Sequence, residues 1–191
     1  MHTLVLEAFL MKAFLIFILS LSLHVSATAE TPYFKGLDVL KNQDVAISFP
    51  SKARATVLVF LSATCPCSAS HESVLFKLQE QFPEISFYGI HSNADEDLAT
   101  TKSHFEEAKL PFPILQDNKT VLADKLGALK TPHVFVLDKE GKTIYHGGVT
   151  NSHVGPSADK NYLKEVLEDI SLNKPPRHKE GRALGCYIQR G

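Results

Sequence analysis

The chain has 191 residues, enough for one domain with a sizeable core, and a formal net charge of -1. That balance gives no global field for nucleic acid or an anionic surface, so nucleic acid is not among the expected partners. Three cysteines are too few for a disulfide scaffold, and with no tryptophan any stacking platform must use Phe or Tyr.

Met11-Lys12, an apolar run from Ala13 to Leu23, and the small residues Ala27-Thr28-Ala29 follow the order of a secretory signal. The apolar run is shorter than the roughly 20 residues a membrane helix needs. Residues 1–29 therefore read as a signal peptide, with Met11 as the start and no stable membrane span after cleavage. The mature protein is expected to be periplasmic or secreted, in an oxidising compartment.

Residues 30–44 carry no strong period. Val45 to Phe49 alternates and reads as a short strand ending at Pro50. Val57 to Ser62 is apolar enough for a fully buried central strand. A helix follows Cys67 to about Phe82, with Val74, Leu75, Leu78 and Phe82 on one face and Pro83 ending it. Ile85 to Ile90 is a second strand. Asn93 or Asp95 is placed to cap a helix over 97–108, with Leu98 and Phe105 inward. Phe112 to Leu115 is a short extended piece, too rich in proline for a central strand. Thr120 to Leu126 makes a short helix ended by Gly127. His133 to Asp138 is a third strand, and Thr143 to His146 returns antiparallel after a turn. A last helix spans 159–170, with Tyr162, Leu163, Val166, Leu167 and Ile170 on one face. Residues 173–191 form an extended tail whose cations Lys174, Arg177, Lys179 and Arg182 read as a solvated face, with a partner-docking strip as the alternative. Strands alternating with helices, closed by an antiparallel hairpin, predict a three-layer α/β domain over 30–172 with a central mixed sheet flanked by helices.

Cys65-Pro66-Cys67-Ser68 stands at the junction of the first central strand and the helix. A cysteine there meets unpaired helix N–H groups and the positive end of the helix dipole, which favours thiolate over thiol. Cys65 is thus the candidate nucleophile. Cys67 stays open between a second redox thiol, a metal ligand and a packing residue. Positions two apart on a helix lie about 160° from one another, so Cys65 and Cys67 diverge if the helix begins at Pro66. His71 falls one turn after Cys67, and Cys65, Cys67 and His71 are ligand types that suit Cu(I) or zinc, although a surface histidine without a ligand role is the plainer reading. Thr64 precedes the nucleophile and is placed to donate a hydrogen bond to it. Ser68 reads as a helix cap. His133 starts a strand near the same face or points to solvent.

The run from Val57 to Ser68, the run from Leu126 to Asp138 and the segment Gly141 to Gly147 resemble the thioredoxin-like superfamily. They are similar more narrowly to secreted redoxins, the branch shared by TlpA/ResA-type thiol-disulfide proteins and AhpC/TSA peroxiredoxins. The resemblance implies a thioredoxin-like fold in which Thr131-Pro132 is a cis peptide facing the active cysteine, a minority state that needs tertiary support. It implies that backbone groups of Thr131 pair with an extended substrate. The sequence departs from C-x-x-C, since position 68 is Ser and the second thiol comes one residue early. It departs from the peroxiredoxin motif as well: Ser62 matches the hydroxyl position, but Leu58 stands where Pro is expected.

The resemblance implies an oxidoreductase in which Cys65 attacks a protein or small-molecule disulfide held against Thr131-Pro132, and Cys186 or Cys67 resolves the mixed disulfide. Cys186, in a terminal Gly-Cys, is either that resolving thiol or an unpaired tail cysteine. A separate thiol donor or acceptor completes the cycle, and no bound cofactor is required because sulfur carries the electrons. The alternatives are a thiol peroxidase that passes through sulfenic acid, a copper- or zinc-binding module, and a redox-inactive binding domain.

Overall fold

A computed structural model describes residues 33–191. The signal segment expected over 1–29 lies outside the described residues.

Strand β3 (Thr56–Leu61) is buried along its whole length. Its side chains alternate between two cores: Val57, Val59 and Leu61 enter one, Leu58 and Phe60 the other. A strand covered on both faces reads as a continuous apolar run, and this one does. Around it lie β1 (Phe34–Asp38), β2 (Gln43–Ile47), β4 (Ser86–His91), β5 (Ile114–Gln116), β7 (His133–Leu137) and β8 (Thr143–Gly147). They form one seven-stranded sheet in the order β2-β1-β5-β4-β3-β7-β8. The pairs β3–β4 and β4–β5 are parallel, while β1–β2, β1–β5, β3–β7 and β7–β8 are antiparallel.

Helices α1 (Pro66–Gln81), α2 (Leu98–Ala108) and α4 (Tyr162–Ser171) contribute Leu75, Leu78, Phe105, Leu163, Val166 and Leu167 to the first core. Helix α3 (Val121–Leu126) contributes Leu122 and Ala123 to the second. Gly127 ends α3 in the left-handed conformation. This is the three-layer, thioredoxin-like α/β arrangement expected, with a mixed sheet flanked by four helices.

Several local expectations are corrected. Residues 34–38 form β1, whose apolar signal is thin because it alternates Phe34 and Leu37 with glycine and charged residues. The piece near Pro113 is an interior strand, between β1 and β4. Both prolines precede β5, and the Pro113 carbonyl accepts the Gly89 N–H, so no ladder donor is lost inside the strand. Asp97, rather than Asn93 or Asp95, caps α2 by accepting the Thr100 N–H at 2.8 Å. Leu98, on the first turn, is 51% exposed, whereas Phe105 is buried as expected.

The tail is docked on the domain. Arg177 grips Asp169 of α4 through Nε at 2.9 Å and Nη2 at 2.8 Å. Along the β8 edge the His146 N–H then donates to the Lys179 carbonyl at 3.1 Å and the His146 carbonyl accepts the Gly181 N–H at 3.0 Å. Residues Cys186–Tyr187 form β9, which pairs antiparallel with β6 (Lys130–Thr131) in register Thr131↔Cys186 and Lys130↔Tyr187.

Candidate active site around Cys65

Cys65 is the N-cap of α1, with Pro66 in the first helical turn. Proline fits there because its missing N–H would be unpaired anyway. The loop that carries the cysteine is fastened by Glu96. Its carboxylate accepts from the Ala63 N–H at 2.8 Å, the Thr64 hydroxyl at 3.0 Å, Asn93 Nδ2 at 2.6 Å and the Ser62 hydroxyl. It also pairs with His91 Nε2 at 2.9 Å. The side chains of His91 and Glu96 are 0% and 3% exposed. Burial works against the Glu96 charge, but bonds from His91, Ser62, Asn93 and Ala63 outweigh it and hold its pKa well below the carboxylate range. Ser62 Oγ in turn accepts the Cys65 N–H at 3.0 Å, tying the buried Glu96 carboxylate to the nucleophile's backbone.

The Thr131–Pro132 peptide is cis, and the Cys65 sulfur lies 3.2 Å from the Thr131 carbonyl oxygen. Cys65 is only 2% exposed. Burial is the largest influence on its ionisation and opposes it. Hydrogen bonds from the Cys186 thiol, the Thr131 side chain and the backbone N–H groups of Ser68 and Cys186 together win, and the pKa falls below the ordinary 9.0. The Thr131 hydroxyl is otherwise an unpartnered buried group, so a thiolate at Cys65 supplies the acceptor it lacks.

Cys186 behaves oppositely. The residue is exposed, yet its sulfur is close enough to bond Cys65. Desolvation first, then the hydrogen bond with Cys65 and the charges of Cys65 and Cys67, push it up to about 12. Burial and the neighbouring Cys65 charge also push Cys67 up. The site thus holds one acidified sulfur and two that keep their protons. All three cysteines are free thiols.

The residues expected from sequence fall as follows. Cys65, Cys186, Thr131 and Pro132 come together. Cys67 stands beside Cys65 and contacts His153 Nδ1 at 3.4 Å, a neighbour sequence reasoning missed. Thr64 turns its hydroxyl to Glu96, away from Cys65. Ser68 is not the cap, which is Cys65: it lies inside α1, its hydroxyl accepts the Ser62 N–H at 3.1 Å and its N–H reaches Cys65. His71 is not a surface residue. It is 1% exposed, and its ring nitrogens meet the Cys67 carbonyl at 2.7 Å and the Thr150 hydroxyl at 2.9 Å. The trio Cys65, Cys67 and His71 therefore does not converge, and among the described residues no cluster of three His, Cys, Asp or Glu side chains forms a metal site. His133 is buried rather than facing solvent, and accepts the Leu129 N–H on Nδ1. Glu96 and His91 were not foreseen. Their only sequence signal is polarity just after an apolar strand.

Comparison with known proteins agrees with this geometry. The chain is 24% identical over 136 residues to sporulation thiol-disulfide oxidoreductase A of Bacillus subtilis (strain 168), spanning 64% of this chain and 72% of that protein. It superposes with a TM-score of 0.74 on an uncharacterized conserved protein from Geobacillus kaustophilus, 25% identical, over 84% of this chain and 89% of that one. StoA from Bacillus subtilis shares the fold at a TM-score of 0.55 and 20% identity, over 74% and 98%. Residues 28–146 match the AhpC/TSA family. With more than half of the sequence inside that match, and a cis-proline loop set against a cysteine at a helix N-terminus, the chain belongs to the AhpC/TSA family of the thioredoxin-like superfamily.

Proposed function

We propose that the protein is an exported thiol-disulfide oxidoreductase that uses Cys65 as nucleophile and Cys186 as resolving thiol. The observation that carries this reading is geometric: the Thr131↔Cys186 strand pair brings Cys186 to the loop whose Thr131 carbonyl lies 3.2 Å from the Cys65 sulfur, and the shifts agree with it, Cys65 down and Cys186 up. The Cys65 thiolate attacks one sulfur of a substrate disulfide. An S–S bond forms to Cys65, the substrate bond breaks, and the other substrate sulfur leaves as thiolate. With Cys65 in the mixed disulfide its charge no longer opposes ionisation of Cys186, which gives its proton to the leaving thiolate and attacks the Cys65 sulfur, releasing the second substrate sulfur. The substrate has gained two electrons and the protein holds a Cys65–Cys186 disulfide, which a separate dithiol reduces. The same steps in reverse oxidise a dithiol substrate. Export rests on the signal-like residues 11–29, and no helix among the described residues is long and apolar enough to cross a membrane.

The thiol-peroxidase reading is less well supported. Ser62, whose hydroxyl would face a peroxide, gives its proton to Glu96. The metal reading is weaker still, because both His71 ring nitrogens are engaged elsewhere.

The test is trapping. With a small aromatic disulfide as substrate, Cys186→Ser accumulates a mixed disulfide on Cys65, seen as a mass adduct. The unsubstituted protein and Cys67→Ser pass through that adduct without accumulating it. If Cys67→Ser traps and Cys186→Ser turns over normally, the resolving role belongs to Cys67.

A further inference from the structure

The end of the sheet opposite Cys65 gathers positive charge around a cavity. Arg54 precedes β3 and Cys65 follows the loop after it, so the strand, a span of about 20 Å, separates them. At the Arg54 end three segments meet. The Ser51 N–H donates to the Lys139 carbonyl at 2.8 Å, which ties the loop before β3 to the β7–β8 turn. Phe49 seals that junction by packing on Gly141, where φ is 84° and a Cβ would strike the ring. The Arg54 N–H donates to the Glu84 carbonyl at 2.9 Å, and the Arg54 guanidinium donates through Nη1 to the Asn173 side chain. The Lys174 N–H donates to the Asp169 carbonyl at 2.8 Å, holding the start of the tail against α4.

A cavity of about 760 Å³ lies between these segments, and Lys52, Arg54, Lys139 and Lys174 all line it. None of the four closes an ion pair among the described residues, whereas Lys35, Lys102, Lys164, Arg177 and Arg190 all do. The lining holds one acid, Glu84, whose Oε1 accepts the Ser171 hydroxyl at 2.6 Å. Ile144 and Ile170 form an apolar wall. A second cavity of about 460 Å³ shares Ile144 and Pro176 with the first and adds Lys142 and Lys179, with Glu180 as its acid. The chain as a whole carries a net charge of -1, so this concentration is local rather than a by-product of basic composition. Of the tail cations, Arg177 is committed to Asp169, while Lys174 and Lys179 face the cavities.

We propose that the larger cavity is a binding site for a phosphate-bearing anion, with Arg54 as its anchor and Lys52, Lys139 and Lys174 around it. Cations crowded without carboxylates repel one another, and a multiply charged anion relieves that repulsion. Arg54 is pre-oriented: one guanidinium N–H is held by Asn173, and the others are left for a ligand. A phosphate group accepts from several sides at once, which suits cations brought in by three separate segments. A carboxylate would be satisfied by Arg54 alone. The wall of Ile144 and Ile170 accommodates the carbon part of a phosphate ester, and the volume is that of a small-molecule site. This chemistry is shared by a free organophosphate and by the headgroup of an anionic phospholipid. Either one, bound at this pole, leaves the Cys65 end of the sheet free, so binding here is separable from disulfide exchange.

The experiment titrates the full chain with glycerol phosphate and, separately, cosediments it with vesicles of phosphatidylglycerol and phosphatidylcholine. Vesicles of phosphatidylcholine alone measure what the apolar residues 13–23 contribute. Binding is expected to saturate at roughly millimolar glycerol phosphate or below. Arg54→Ala weakens it at least about tenfold. Lys139→Ala and Lys174→Ala, which break no ion pair, weaken it about three- to fivefold each. Arg54→Lys restores only part of the loss, because it keeps the charge without the planar fork. Lys102→Ala, on α2 and outside the cavity, leaves binding unchanged. Disulfide exchange is unchanged in all of these variants. The probe that shows this order of losses names the source: glycerol phosphate alone marks a free organophosphate, and the phosphatidylglycerol vesicles mark the headgroup. Lys139→Ala keeps the test open should Arg54→Ala misfold. Failure of both probes to bind saturably, or binding that Arg54→Ala and Lys139→Ala leave intact, overturns the proposal.

Discussion

Glu96→Ala lowers the unfolding free energy by about 3–5 kcal/mol, because several donors lose their acceptor at once and each buried one left unpaired costs about 1–3 kcal/mol. For a domain of this size that is roughly 6–20 °C in melting temperature. The loss is large because the carboxylate serves several donors at once. Without it His91 keeps a buried ring nitrogen with no acceptor charge, and the Ala63 N–H and the Ser62 and Thr64 hydroxyls lose their acceptor. The effect depends on pH. Glu96 has a folded pKa depressed below its ordinary 4.5, so its contribution is complete above the unfolded value and erodes as pH falls toward the folded one. Chemical denaturation at neutral pH and again near pH 3 checks this: the gap between the two proteins narrows in acid. A gap that is small at neutral pH, or that widens in acid, contradicts the assignment. The same variant frees the Ser62 hydroxyl that holds the Cys65 N–H, so alkylation of Cys65 also becomes less selective.

Cys65→Ser reduces disulfide exchange to the uncatalysed background, the largest effect expected on activity. A serine hydroxyl cannot form the mixed disulfide, and burial, the largest influence on both remaining thiols, still disfavours their thiolates. In the unsubstituted protein the rate with a small disulfide rises with pH through the Cys65 ionisation, with its inflection at lower pH than an ordinary thiol's, because the folded site lowers that pKa. Cys186→Ala removes the strongest of the bonds that lower it, so the inflection of Cys65 alkylation moves to higher pH. An inflection at the value of free cysteine in both proteins would show that the site does not acidify this sulfur.

The parts of the fold that were legible are those where burial writes a simple period. Val57 to Leu61 is apolar without interruption because both faces of β3 are covered. The hairpin of β7 and β8 announces itself through Asp138, whose carboxylate accepts the Glu140 and Lys142 N–H groups in the turn. Legibility fails where the outcome depends on partners distant in sequence. Pro111 and Pro113 argue against a central strand by composition, but both precede β5, so the interior ladder loses no donor. His71 reads from sequence as a surface residue, yet Ser68, His71, Leu75 and Leu78 are the buried positions of one helix face. A polar pair that satisfies itself against Thr150 is invisible to a search for apolar periodicity.

The candidate site divides in the same way. The acidifying position of Cys65 is local, since strand, cysteine and helix N-terminus are consecutive, and the cis-proline loop was recognisable from its motif. Glu96 was not, because its five donors come from Ser62, Ala63, Thr64, His91 and Asn93, and no single stretch of sequence contains them all. The tail read as solvated because of its cations. Arg177 instead anchors it to Asp169, and β9 finds its partner only once the loop at Thr131 is folded.

Disulfide mapping of the oxidised full chain bears most directly on the pairing of sulfurs. After stoichiometric oxidation, alkylation of remaining thiols and proteolysis, the account predicts a peptide pair joined through Cys65 and Cys186, with Cys67 recovered alkylated. Recovery of a Cys65–Cys67 bond with Cys186 alkylated would contradict it.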